Sequence, residues 1–251
     1  MGKFSNLTTD DVEQSEDRVG GFSPLESDIY DDAEIKLAYA GESAKGAQSI
    51  TIHAAIGDRE YRETIYITNR NGDNFWLNDN KKKMPLPGFT VINDLCICAT
   101  GAPLSEQDTD EKQVKIYDFD ERKEVPKAVD VLVDLIGKKV TLGILNTLEN
   151  KGVKQSDGSY ADGPEERNVN SIDKVFENDS KMTVREAMDN EGWDADKAEF
   201  IERWRATNEG KTRDKRTIKD GQGGQSGRPS PGGNAGSSGG GEKRSSLFSK
   251  K

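Results

Sequence analysis

The sequence predicts a mainly β fold: a small, partly open barrel of five or six short strands with one interposed helix, followed by a helical extension and a disordered tail. Three observations predict it. Hydrophobic residues recur at every second position in several runs between residues 32 and 180. Polar turn stretches separate those runs. The composition, 32% hydrophobic against 33% charged, is too polar for all 251 residues to pack, so part of the chain lies outside any core.

Residues 1–31 are acidic and rich in Ser, Thr and Asp, and read as an arm with little structure of its own. "EIKLAYA" then alternates Ile35, Leu37 and Tyr39 against Lys36 and Ala38. "SITIHAAI" places Ile50, Ile52 and Ile56 on one face, with Thr51 and His53 on the other. "YRETIYIT" sets Tyr61, Ile65 and Ile67 opposite Arg62, Thr64 and Tyr66, completing an antiparallel meander. "NRNGDN" reads as a turn, because Asn71-Gly72 supplies the positive φ angles, and the spacing of its oxygen ligands does not fit a calcium loop.

"FWLNDNKKKMPLPG" reads as a loop, and "VINDLCICATG" fits a helix or a strand. "QVKIYDF" alternates again. "VPKAVDVLVDLIG" has Val129, Leu132, Val133 and Ile136 at helical spacing, with a proline near its start and Gly137 as a stop, and so predicts a helix. "KKVTLGILNTL" returns to a period of two, with Val140, Leu142, Ile144 and Leu148 inward and Lys139, Thr141 and Thr147 outward. The polar stretch "ENKGVKQSDGSYADGPEERN" reads as a long loop, and "VNSIDKVF" as the last strand. In residues 181–220 two short helices break at Gly192, with Phe200 and Trp204 one turn apart, ahead of a basic run. Residues 221–251 are a Gly/Ser-rich linker that ends in a basic-aromatic tip.

The function classes narrow in the same way. There is no apolar run long enough to span a membrane and no secretory leader pattern, so a cytoplasmic, soluble chain is expected. Cys96 and Cys98 are separated by one residue and a single histidine accompanies them, which points to buried reduced thiols, a reducing compartment, no metal and no cofactor. No nucleophilic elbow or phosphate loop occurs, and His53 lies mid-strand, so an enzyme is not expected. Carboxylates are plentiful enough that a metal-dependent nuclease remains the rival enzymatic reading.

The net charge of −10 conceals a segregation. Residues 1–34 hold ten acids against Lys3 and Arg18, whereas residues 221–251 hold five bases against Glu242. Basic and aromatic residues interleave on strands and adjoining loops: Arg59, Tyr61, Arg62 and Tyr66, then Arg70, Phe75, Trp76, Lys81, Lys82 and Lys83, then Lys115, Tyr117 and Lys139. A groove that holds single strands needs that mixture, cations for phosphates and rings on which bases stack. Tyr61, in phase with Ile65 and Ile67, fits the core equally well.

"GKKVTLGILNTLENK", "RNVNSIDKVFENDSKMTVREA" and "FIERWRATNEGKTRDK" resemble the single-stranded-DNA-binding proteins of lytic short-tailed coliphages that carry a virion RNA polymerase. The likeness spans roughly residues 30–220. It implies an OB-fold that coats single-stranded DNA in phage replication and recombination and, for part of that group, activation of late transcription by host RNA polymerase. Many proteins of the wider class end in an acidic tip that recruits partners. Here Lys243, Arg244, Leu247, Phe248, Lys250 and Lys251 keep an apolar anchor and reverse the charge. The tip therefore reads as a ligand for an acidic patch on a partner, with added grip on DNA and self-contact as the other two readings. A protein–protein adaptor whose barrel never touches nucleic acid is the alternative function.

Overall fold

In a computed structural model of the chain the described residues are 24–118, 123–156 and 160–218. The expected meander is there. Strand β1 (Asp28–Glu42) pairs antiparallel with β2 (Gln48–Ile56), which pairs antiparallel with β3 (Arg59–Tyr66). Ile50, Ile52 and Ile56 share the core with Tyr61, Ile65 and Ile67, because successive strand residues face opposite sides. β1 departs from plain alternation. A bulge between Ile35 and Leu37 shifts its phase by one. Ala38 rather than Leu37 continues the core row, and Tyr39 is buried on the opposite face beside His53. β1 also begins at Asp28, and Leu25 and Ile29 are buried, so residues 24–31 join the barrel rather than the arm.

Four further expectations are corrected. "FWLNDNKKKMP" is not a plain loop but a hairpin of β4 (Phe75–Leu77) and β5 (Lys83–Pro85). Asn78 closes its turn by accepting N–H bonds from Asn80 (3.0 Å) and Lys82 (2.9 Å). The helix expected from Val125 to Gly137 is instead β7 (Lys123–Leu132), zipped against β6 (Thr109–Asp118) along its whole length, followed by a single 3-10 turn. Its β-branched valines suit a ladder, and the available partner strand overrides the helical spacing. The interposed helix is α1 (Pro87–Thr100), opened by proline and closed by Gly101 in the left-handed region. α1 crosses the end of β3 so closely that a Cβ on Gly88 would fall 2.1 Å from the Tyr66 carbonyl oxygen.

The expected polar loop is also strand. β8 (Lys139–Lys154) and β9 (Tyr160–Phe176) pair antiparallel far beyond the core, from Thr141↔Phe176 to Lys154↔Tyr160. The outer half of this arm is solvated on both faces, so it carries no alternation. Exposed ion pairs such as Lys151–Glu165 (2.8 Å) line it instead. "VNSIDKVF" is not the last strand, because β10 (Thr212–Asp214) adds parallel to β8.

The result is a mainly β molecule with a partly open, barrel-like sheet. β1 pairs β2 with its later half and β8 with its first half, β8 carries β9, and β9 returns towards β3. Strand order and interposed helix are those of an OB-fold-like barrel. No ladder joins β3 to β9; the Glu63 carboxylate crosses the seam to accept the Ile172 N–H at 2.8 Å.

The extension packs on the barrel's outside. α2 (Val184–Asp189) starts with a capping box between Thr183 and Glu186. From α3 (Phe200–Asn208), Ile201 and Trp204 form a second small core with Ile29, Leu145 and Phe176. A Cβ on Gly143 would press on the Trp204 ring at 3.2 Å, so glycine admits the indole. No helix among the described residues is long and apolar enough to cross a membrane. Cys96 and Cys98 lie on α1, buried and unpaired with each other.

α1 also carries a testable electrostatic cost. Burial raises the Asp94 carboxyl to about 6, against the pull of Lys174. The folded state thus favours the protonated form, and stability is withdrawn as pH climbs from about 4 to about 6. Asp94→Asn should raise stability at pH 8 by about 1–2 kcal/mol, after allowance for solvent screening, and leave it unchanged at pH 3.5. Urea melts at both pH values check this; equal gains at both would refute it.

Candidate nucleic-acid interface

β3 turns Arg62, Thr64 and Tyr66 to the side away from the core, each with a partner on β2: His53, Thr51 and Ser49. The Thr51 and Thr64 hydroxyls share a hydrogen bond of 2.8 Å. Arg62 Nη2 donates to the Tyr39 hydroxyl at 3.0 Å, which holds the guanidinium against the sheet. Burial, and then the Arg62 charge, lower the pKa of His53, which favours the neutral imidazole on this face. Tyr66, 52% exposed, presents a ring at the end of the row.

Beside that row the open seam widens into a groove of about 790 Å³. β3 supplies Arg62 and Thr64 to it, β8 supplies Thr147 and Glu149, β9 supplies Arg167, and β6 supplies Tyr117. Lys215 closes the list of cations. Arg167 is bound through Nη2 to Glu149 at 2.7 Å. Lys215 is fixed by backbone: its N–H donates to Leu148 at 2.9 Å. The chain beyond it is clamped by the buried Asn150, which accepts N–H bonds from Thr217 (2.8 Å) and Ile218 (3.0 Å) and donates to the Ile218 carbonyl (3.1 Å). Thr147 Oγ1 is buried on the groove wall and has no hydrogen-bond partner among the described residues.

A smaller cavity of about 280 Å³ continues the groove past Arg62 to Arg59. Below the seam lies Glu63. Burial pushes its carboxyl upward, against the hydrogen bonds it receives from Ile172 and Tyr61. The next basic-aromatic group is the β4–β5 hairpin. Trp76 is 51% exposed there, cross-strand from Met84, and Lys81 and Lys82 flank it in the turn. Lys83 sits over the Phe75 ring at 4.2 Å, so those two occupy each other. Arg70 is exposed in the preceding turn, and Lys115 is exposed on β6 two residues from Tyr117.

Arg62 and Tyr117 therefore come together on the groove, Arg59 lines the adjoining cavity, and Tyr66 extends the outer row of β3. Arg70, Phe75, Trp76, Lys81, Lys82, Lys83 and Lys115 are not among the groove's lining residues, and neither are Tyr61 and Lys139. Tyr61 lines the smaller cavity but is buried, its hydroxyl donating to Glu63 Oε2 at 2.8 Å, and its ring packs with the core. Lys139 stands at the far end of β8 against Asp32 (3.4 Å), in an acidic neighbourhood that includes Asp31. The tip residues Lys243, Arg244, Leu247, Phe248, Lys250 and Lys251 lie outside the described residues. Arg167, Lys215 and Thr147 were not expected on the site. The signal that could have revealed Arg167 is Asp157-Gly158, a hairpin dipeptide in the middle of the supposed loop.

Comparison with protein-family models, with curated proteins and with solved structures returned no match for this chain.

Proposed function

We propose that this protein binds and coats single-stranded DNA, without strong sequence preference, along the groove at the β3–β9 seam. The observation that carries the reading is the convergence of Arg62, Arg167 and Lys215 with Tyr117 in one groove on the face that OB-fold barrels use for oligonucleotides. Cations neutralise phosphates, exposed rings take bases, and neither element distinguishes one sequence from another. The unpartnered Thr147 hydroxyl on the wall suits a sugar or phosphate oxygen. Preferential binding to the single-stranded state removes hairpins by mass action. In the setting implied by the resemblance, this serves phage replication and recombination in the host cytoplasm. The tip recruits a partner, host RNA polymerase in that setting; this part rests on its sequence.

The test is fluorescence anisotropy of a labelled oligo-dT of about 20 nucleotides, a length that covers OB-fold site sizes. Full-length protein and a chain ending at Gly221 should bind it alike, with strong salt dependence and little affinity for duplex. Tyr66→Ala and Trp76→Ala should each cost about 1–3 kcal/mol. Binding lost with the tail would move the DNA contact to the tip. No binding by either chain would leave the adaptor reading in front.

A further inference from the structure

We propose that a second cavity, between the C-terminal end of α1 and the turn after β9, is the docking site for the chain's own basic tip, residues 243–251. This cavity, of about 510 Å³, is lined by Ile97 and Cys98 from α1, Glu177 and Asp179 from the turn, and Trp193 and Ala195 from the segment joining α2 to α3. It shares no lining residue with the groove and has the opposite character. Two carboxylates line it and no cation does. Burial opposes the ionisation of Glu177, but hydrogen bonds from Ser180 and Asp179 and the charge of Lys181 outweigh it and hold its pKa below the usual carboxylate value. α1 ends at the same place with no basic residue in its last turn, so its carbonyl end adds negative potential. Phosphates are repelled from such a place.

The cavity also leaves apolar surface uncovered. Trp193 is 41% exposed, and Met188, on the preceding helix, is 70% exposed. A ligand that fits has apolar side chains for Trp193 and Ile97 and cations for Glu177 and Asp179. The chain contains that ligand. Leu247 and Phe248 lie between Lys243-Arg244 and Lys250-Lys251, with no acid among residues 243–251. The 33 residues after Ile218 can span up to about 100 Å, several times the radius of gyration of about 16 Å expected for a domain of this size. Docking leaves the groove open and withholds Leu247 and Phe248 from other proteins, so a partner must displace the intramolecular contact before it is recruited.

The inference does not rest on DNA binding, and it is tested without oligonucleotide. Cys96 is fully buried but Cys98 lines the cavity, so the nitroxide is placed on Ser249→Cys in a full-length chain that also carries Cys98→Ala. At low salt the label should broaden the amide signals of Ile97, Ser180, Trp193 and Ala195 selectively, leaving those of Arg62, Thr64 and Arg167 sharp. Asp179→Lys and, separately, Phe248→Asp should restore the lost intensity. Labelled protein of natural isotope content mixed with unlabelled, nitrogen-15 protein should give no broadening, because the contact is within one chain. Broadening centred on the groove, broadening only in the mixed sample, or no selective broadening would each overturn the proposal. Anisotropy with oligo-dT on the same unlabelled chain reports separately on the groove.

Discussion

Arg62→Glu combined with Lys215→Glu is expected to produce the largest loss of single-strand binding in this molecule. Both side chains line the groove at the seam, one held by the Tyr39 hydroxyl and the other by its backbone bond to Leu148. A charge-assisted contact to phosphate contributes about 1.5–3 kcal/mol, so each reversal should cost tenfold or more in affinity. The more diagnostic quantity is the salt dependence. Each lost phosphate contact lowers the slope of log K against log salt by about 0.7 on a single strand, so the double variant should lose about 1.4. Lys139→Glu is the control. It reverses a cation of the same kind beside Asp32, away from the groove, and should leave the slope within error of the parent. If Lys139→Glu matched either groove variant, net charge rather than the groove would govern binding.

The second large effect is on stability. Trp204→Ala is expected to destabilise the fold by about 3–5 kcal/mol, read as a lower urea midpoint with little change in the slope of the transition. The indole is 4% exposed, it packs where Gly143 leaves room, and its Nε1–H donates to Asp173 at 2.7 Å. Removing it opens a cavity in the small core with Ile29, Leu145 and Phe176 and leaves the Asp173 carboxylate without its donor. Trp204→Phe should recover most of the packing and none of that bond. A loss below about 1 kcal/mol for the alanine variant would mean that α3 contributes little to the fold. α3 also leads directly into β10 and Lys215, so binding should weaken along with stability.

The two effects differ in how visible their residues are in the sequence. Trp204 stands one helical turn from Phe200, and its burial is legible from spacing alone. Arg62 is legible too, because a strand with Tyr61 and Ile65 inward must place residue 62 outward. Lys215 is not. It lies in a basic run whose destination depends on the Asn150 clamp, a contact between residues 67 and 68 positions apart in the chain.

The central meander, the alternation of β2 and β3, the inward face of β8 and the paired helices of the extension follow from periodicity, because one buried face forces a period on the residues that line it. Where neither face is buried, as in the outer half of β8 and β9, no period exists and the strands read as loop. Where one segment satisfies two periods, as from Val125 to Gly137, the partner strand decides, and only the folded chain supplies β6. A single bulge in β1 exchanged the fates of Leu37 and Ala38, since one extra residue reverses every side chain after it. Sequence alone determined that basic and aromatic residues alternate along exposed strand faces. Tertiary structure alone decided which of them meet, because the groove exists only where β9 comes round to β3 and stops short of a ladder with it, the Glu63 carboxylate reaching across to the Ile172 N–H.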